Sequence, residues 1–145
     1  MEKICFYHEN DKYFELSNLA PYGFTENGME WPSVEHYILA QELSEKLHEK
    51  MRTARSTHKA KLIYNANHHA VRSDWQEVRE EVMLHALRLK FSAPAMQRKL
   101  LATEDAPLEY AAPYDKYWGA GRDGQGANRV GELMAKVRAE LTVDA

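Results

Sequence analysis

The chain has 145 residues, and its 19 Lys plus Arg against 22 Asp plus Glu give a formal net charge of −3 and a pI near 6.2. A chain of this length buries roughly 70% of the surface its unfolded form exposes, so it needs no disulfide or metal to fold, and its mild acidity argues against binding extended nucleic-acid duplexes by bulk phosphate neutralisation, a local basic cleft apart. The single cysteine, Cys5, excludes an internal disulfide framework and multi-cysteine zinc ribbons; as a free thiol it is expected to be a small buried hydrophobe.

Residues 4–7 and 13–16 are short aromatic stretches suited to strands of one small sheet. The N-terminus lacks a signal-peptide core and no apolar run approaches a membrane span, so a cytoplasmic, soluble protein is expected. Asn27-Gly28 suits a type I′ turn. From Ser33 the pattern becomes helical: Ser33 can cap a helix holding Val34, Ile38 and Leu39, and Ser44 and Ser56 can cap two more. Ser73-Asp74-Trp75-Gln76 has capping-box spacing, and Trp75, Val78, Val82, Ala86 and Leu89 then recur on one helical face. Ser92 and Pro94 open a further helix with Met96, Leu100 and Leu101, and the last helix runs from about Asn128 with Val130, Leu133, Met134, Val137 and Leu141 as its stripe. Helices dominate.

Two motifs mislead. Gly119-Ala120-Gly121-Arg122-Asp123-Gly124 matches a dinucleotide-binding turn letter by letter, yet the preceding residues are polar and about one helix of chain follows, so the βαβ context is missing. His48-Glu49-Lys50-Met51-Arg52 begins like a zinc-protease helix, but Arg52 stands where the second histidine belongs. His68 and His69 are adjacent and point apart on a helix, and the other histidines read as surface or capping residues. No metal site and no cofactor are expected.

Five segments in order resemble the NADAR superfamily, specifically its YbiA-like N-glycosidases: Phe14-Glu15-Leu16-Ser17-Asn18-Leu19; Trp31-Pro32-Ser33-Val34-Glu35-His36-Tyr37; Arg72-Ser73-Asp74-Trp75; Leu101-Ala102-Thr103 before Leu108-Glu109; and Asp115-Lys116-Tyr117-Trp118-Gly119-Ala120-Gly121 running into Gly126-Ala127-Asn128-Arg129-Val130-Gly131-Glu132-Leu133-Met134. The resemblance implies an α+β fold, mainly helical, as a compact single domain over residues 1–145 with a small N-terminal sheet. It also implies cleavage of an N-glycosidic bond to ribose. The substrates it implies are phosphorylated ribosylamino-pyrimidines of riboflavin synthesis or ADP-ribose on guanine, with no membrane partner.

Carried over by position, the family's functional residues fall on Glu35, Trp75 and Asp115. Cleaving a C1′–N bond builds oxocarbenium-like charge, which a carboxylate can stabilise while activating water. Glu35, in the first turn of the helix capped by Ser33, fits that role; from the residues alone it reads first as a solvated glutamate that helps the helix start, a preference the resemblance reverses. Asp115 is assigned substrate orientation or a share in protonating the departing base, against a plain turn residue. Trp75 can stack the base, against an ordinary core tryptophan. The loop Gly119 through Gly126, Gly121 included, leads into the helix at Asn128 with Arg122 and Arg129 beside it and can receive a phosphate on backbone N–H groups and a helix N-terminus, against a flexible surface connector with a helix cap; Trp118 is a further substrate contact, and Ser17 and Asn18 are ribose or phosphate contacts, against an ordinary turn. Many relatives have Gln-Ala-x-Lys where this chain has Leu39-Ala40-Gln41-Glu42, which removes any Schiff base at that position; Glu42 either faces the site or pairs with Lys46 on the surface. Lys61 matches a basic family position and is a substitute cation. The leading expectation is a hydrolase of phosphorylated N-ribosides, with an ADP-ribosyl-guanine hydrolase or a catalytically lapsed nucleotide-binding module as alternatives.

Overall fold

The computed structural model describes residues 1–144. Its elements in chain order are strand β1 (Ile4–Phe6), β2 (Phe24–Glu26), β3 (Met29–Trp31), helices α1 (Val34–Glu42), α2 (His48–Arg52), α3 (Thr57–Ala66), α4 (Trp75–Lys90) and α5 (Pro94–Leu101), strand β4 (Leu108–Tyr110) and helix α6 (Arg129–Asp144). The chain divides into two compact units, residues 21–90 and residues 1–20 with 91–145. Helix predominates, as the sequence suggests.

In the unit of residues 21–90, Asn27 and Gly28 take left-handed backbone angles (φ 51° and 78°) and close the antiparallel β2–β3 hairpin, the geometry a type I′ turn demands. The Ser33 hydroxyl caps α1 by accepting the His36 N–H, and the Ser56 hydroxyl caps α3 through the Lys59 N–H; the Ser44 side chain makes no cap bond to the 3₁₀ turn that follows it. Helix α1 packs on α2, α3 and α4, and Val34, Tyr37, Ile38, Leu39 and Ala40 are buried there. The Tyr37 hydroxyl donates to Glu26 Oε2 at 2.9 Å, and His85 of α4 bonds the same oxygen, which ties the hairpin to both helices. Helix α4 starts one residue later than the capping box implies. The Asp74 carbonyl accepts the Glu77 and Val78 N–H groups, and the Asp74 carboxylate pairs with Arg72. Its buried stripe is Trp75, Met83, Ala86 and Leu87, with Val78, Val82 and Leu89 half-buried.

The other unit differs more from the sequence reading. Residues 14–16 form a 3₁₀ turn rather than a strand, because Leu16 and Ser17 close tight bonds back to Tyr13 and Phe14. β1 pairs instead with β4, parallel, in the register Ile4 to Leu108. Cys5 is exposed on β1, with its thiol 3.4 Å from Glu109 Oε2. That corrects the expectation of burial: the alternation of a strand turns Phe6 inward and Cys5 outward. Helix α5 is capped by Ala93 with Pro94 in its first turn, not by Ser92. The α6 stripe Val130, Leu133, Met134 and Val137 is buried, and α6 packs on β4 and α5. Gly131 makes the β4 contact possible, since a Cβ there would lie 2.2 Å from the Leu108 carbonyl oxygen. Gly131→Ala is therefore expected to cost ~1–3 kcal/mol in urea unfolding; a loss below ~0.5 kcal/mol, the ordinary scatter of surface changes, would show that α6 can shift to make room. No helix among the described residues is long and apolar enough to cross a membrane.

Candidate active site

The residues implicated by sequence divide between the two units, Glu35, Glu42, Lys61 and Trp75 in one and the remainder in the other. In residues 21–90, Glu35 is a half-buried second residue of α1, where the helix dipole favours a carboxylate. The turn that carries it is locked. His36 is buried, its Nδ1 lies 2.7 Å from Ser33 Oγ, and its Nε2 lies 3.1 Å from the Ala54 carbonyl oxygen. A carbonyl only accepts, so Nε2 carries the proton and Nδ1 accepts the Ser33 hydroxyl proton. The Ser33 oxygen meanwhile accepts the His36 backbone N–H at 3.1 Å. His36 is thus an internal strut and not a surface residue.

Burial holds the His36 imidazole below its ordinary value of 6.5, partly offset by the Ala54 bond. Between the lowered value and 6.5 the unfolded chain binds the extra proton and the folded chain does not, so this group makes stability fall as pH drops through that window. Unfolding free energies of the parent and His36→Gln, compared from about pH 8 to pH 5, should converge as pH falls. Parallel curves would show that His36 does not titrate on unfolding.

Glu42 occupies the face of α1 that carries Glu35, seven residues and two turns on. It is half-buried and accepts the Tyr64 hydroxyl at 2.7 Å, rather than lying on the surface beside Lys46. Burial pushes its carboxyl above the usual range, while the Tyr64 bond and the charges of Lys61, His68 and Arg79 pull it back. Lys61 is exposed, with Nζ 5.0 Å from the Tyr64 ring centroid. Trp75 is only 6% exposed, which leaves little ring face for a base. A groove of about 430 Å³ lies on the Lys59–Ile63 flank of α3, lined also by Thr53, Ala54, Arg55 and Leu62; by the helical wheel this flank is turned away from Tyr64.

In the other unit, Ser17 and Asn18 are fully buried, and Ser17 Oγ accepts the Leu19 N–H. Asp115 Oδ1 accepts the N–H groups of Tyr117 and Trp118 at 3.0 and 2.8 Å, so the residue folds its own loop. The half-buried Trp118 packs edge-on to Tyr117. Gly119 is a packing glycine, since a Cβ would meet Ala112 Cβ at 2.8 Å. The Gly121 N–H donates to Ala112, and the exposed Arg122 lies over the Tyr114 ring and donates to its hydroxyl.

Much of the loop that the sequence offers for a phosphate is bonded within the fold. The N–H groups of Gly126, Asn128, Arg129 and Val130 donate to the carbonyls of Ala120, Gly119, Tyr117 and Trp118. These four donors are therefore bound to backbone. The Asn128 amide likewise serves β4, accepting from Tyr110 N–H and donating to the Leu108 carbonyl, both at 2.8 Å. Arg129 is half-buried in the first turn of α6. Among the described residues no group of three His, Cys, Asp or Glu side chains is placed to hold a metal ion.

Sequence alone assigns no role to Tyr64 and reads His36 only as a surface or capping residue. For Tyr64 no local signal exists, because its partner lies 22 residues away. His36 was signalled by the Trp-Pro-Ser-Val-Glu-His run itself.

Comparison with known proteins matches residues 5–142 to the NADAR domain family. N-glycosidase YbiA of Escherichia coli (strain K12) is 38% identical over 143 residues, covering 97% of this chain and 89% of that protein. The riboflavin biosynthesis protein VVA0006 of Vibrio vulnificus is 35% identical over 142 residues, 97% of this chain and 39% of that longer protein. Among solved structures, the NMR structure of E. coli YbiA matches 99% of this chain and 86% of its own, with a TM-score of 0.87 at 37% identity.

Proposed function

This chain belongs to the NADAR domain family, and from that membership we propose that it is an N-glycosidase that hydrolyses the bond between ribose and a base, acting as one domain over residues 1–145. The carrying observation is Glu35, held half-buried in a first helical turn whose cap, imidazole and neighbouring loop carbonyl form one hydrogen-bonded unit. Such pre-organisation is what charge stabilisation requires. In the proposed step the C1′–N bond breaks with its electron pair leaving on the base. The Glu35 carboxylate faces the positive charge on C1′ and takes a proton from the water whose oxygen bonds to C1′, and the base nitrogen takes up a proton from solvent, Glu35 returning its own to solvent at the end of the turnover. Asp115, one oxygen of which already accepts two N–H groups, is proposed only as an orienting residue. Because position 42 offers a carboxylate and no amine, the reaction proceeds by direct hydrolysis without a Schiff base there.

The proposed substrate is a phosphorylated ribosylamino-pyrimidine, supported by the riboflavin-biosynthesis name of the Vibrio relative. Assays of the purified chain on a ribosylamino-pyrimidine 5′-phosphate and on ADP-ribosylated guanine test this choice. Release of free base from the first supports it; release only from the second would move the assignment to ADP-ribosyl-guanine hydrolysis; release from neither would leave a nucleotide-binding module.

A further inference from the structure

We propose that Tyr64 and Glu42 form the base-recognition element of this site, Tyr64 as the aromatic surface and Glu42 as the acceptor for N–H donors on the base edge. The proposal rests on the N-glycosidase reading of Glu35 and adds the residues that select the base.

Glu35 and Glu42 lie within about 20° of the same face of α1 and about 10 Å apart along its axis. A ligand whose sugar meets Glu35 therefore extends its base toward Glu42 if it lies along that face. The aromatic side chain bonded to Glu42 is Tyr64, whose ring is half-buried, held at its hydroxyl by the carboxylate and flanked by His68 with ring centroids 6.3 Å apart. Trp75, the tryptophan indicated by family position, is packed at 6% exposure, so the stacking role falls to the half-buried Tyr64 ring, over which the exposed Lys61 places its Nζ 5.0 Å from the centroid, a flexible side chain that a base can displace.

Glu42 has capacity beyond this bond. A carboxylate presents about four lone-pair sites, and among the described residues the Tyr64 hydroxyl is its one hydrogen-bond donor. A half-buried acceptor with open sites favours amino and ring N–H groups over carbonyl edges. Lys61, His68 and Arg79 act on Glu42 electrostatically, so the surroundings as a whole remain compatible with a phosphate-bearing sugar. The flank of α3 that carries the Arg55–Lys59 groove is turned away from Tyr64, and the groove is not part of this element.

The test is equilibrium binding of three probes to the parent, Tyr64→Leu, Tyr64→Phe and Glu42→Leu. Ribose 5-phosphate has no base, inosine 5′-monophosphate has a base without an exocyclic amine, and guanosine 5′-monophosphate adds that amine. Tyr64→Leu should weaken both nucleotides about 5- to 100-fold and leave ribose 5-phosphate within about twofold; Tyr64→Phe should keep most of the stacking. Glu42→Leu should abolish the parent's preference for the guanine nucleotide over the inosine one. If Glu42→Leu does not fold, Glu42→Gln should reduce the same preference. A parent without that preference, or variants that shift all three probes alike, would make the pair a plain α1–α3 strut and overturn the proposal. These are binding measurements, so failure of the catalytic reading would appear separately, as turnover that survives Glu35→Gln.

Discussion

Replacing Glu35 by Gln should leave the chain folded and able to bind its ligand while turnover falls about 10²- to 10⁴-fold, the usual worth of a group that stabilises developing charge or accepts a proton in the transition state. Glutamine keeps the size and the first-turn position but not the charge. The Ser33, His36 and Ala54 bonds that hold the turn do not involve the Glu35 carboxylate, so the change should appear in kcat and leave KM nearly constant, the signature of an interaction made only in the transition state. Turnover within threefold of the parent would remove Glu35 from the chemistry.

Trp75→Ala is expected to act through stability. With 6% of its surface exposed at the start of α4, Trp75 is a core residue of its unit, and truncating a buried tryptophan costs ~3–5 kcal/mol. Urea unfolding of Trp75→Ala should show that loss. Trp75→Phe, which retains a large ring, should recover most of it with nucleotide affinity unchanged. If Trp75→Ala instead unfolds at nearly the parent's midpoint and loses affinity for nucleotides but not for ribose 5-phosphate, Trp75 is the stacking surface and Tyr64 is not.

What the sequence made legible was local. The Asn27-Gly28 turn, the Ser33 and Ser56 caps, and the α6 stripe depend on residues a few positions apart, and they formed as their chemistry dictates; the α4 stripe keeps Trp75 and Ala86 but buries Met83 and Leu87 where the spacing predicts Val78, Val82 and Leu89. Caps at Ser73 and Ser92 missed by one residue, since Asp74 and Ala93 hold the actual first carbonyls and neighbouring candidates compete at a helix start. The partner of β1 was not legible, because Ile4 pairs with Leu108 across more than 100 residues and no periodicity encodes a partner at that distance.

The candidate site divides the same way. Family position picked out Glu35, and the helix that presents it followed from Ser33. The glycine-rich loop looked like an anion cradle because its glycines and following helix suit one; the bonds from Gly126, Asn128, Arg129 and Val130 back to residues 117–120 are tertiary features of the folded loop. In the sequence Glu42 is a charge reversal; in the fold it is the acceptor of the Tyr64 hydroxyl from another helix.

The most direct test is to incubate the purified chain with a ribosylamino-pyrimidine 5′-phosphate and quantify free base and ribose 5-phosphate over time, beside Glu35→Gln at equal concentration. Equimolar release of the two products by the parent, reduced at least about 100-fold in the variant, is the expected result. No release by the parent, or release undiminished in Glu35→Gln, would contradict N-glycosidic hydrolysis at Glu35.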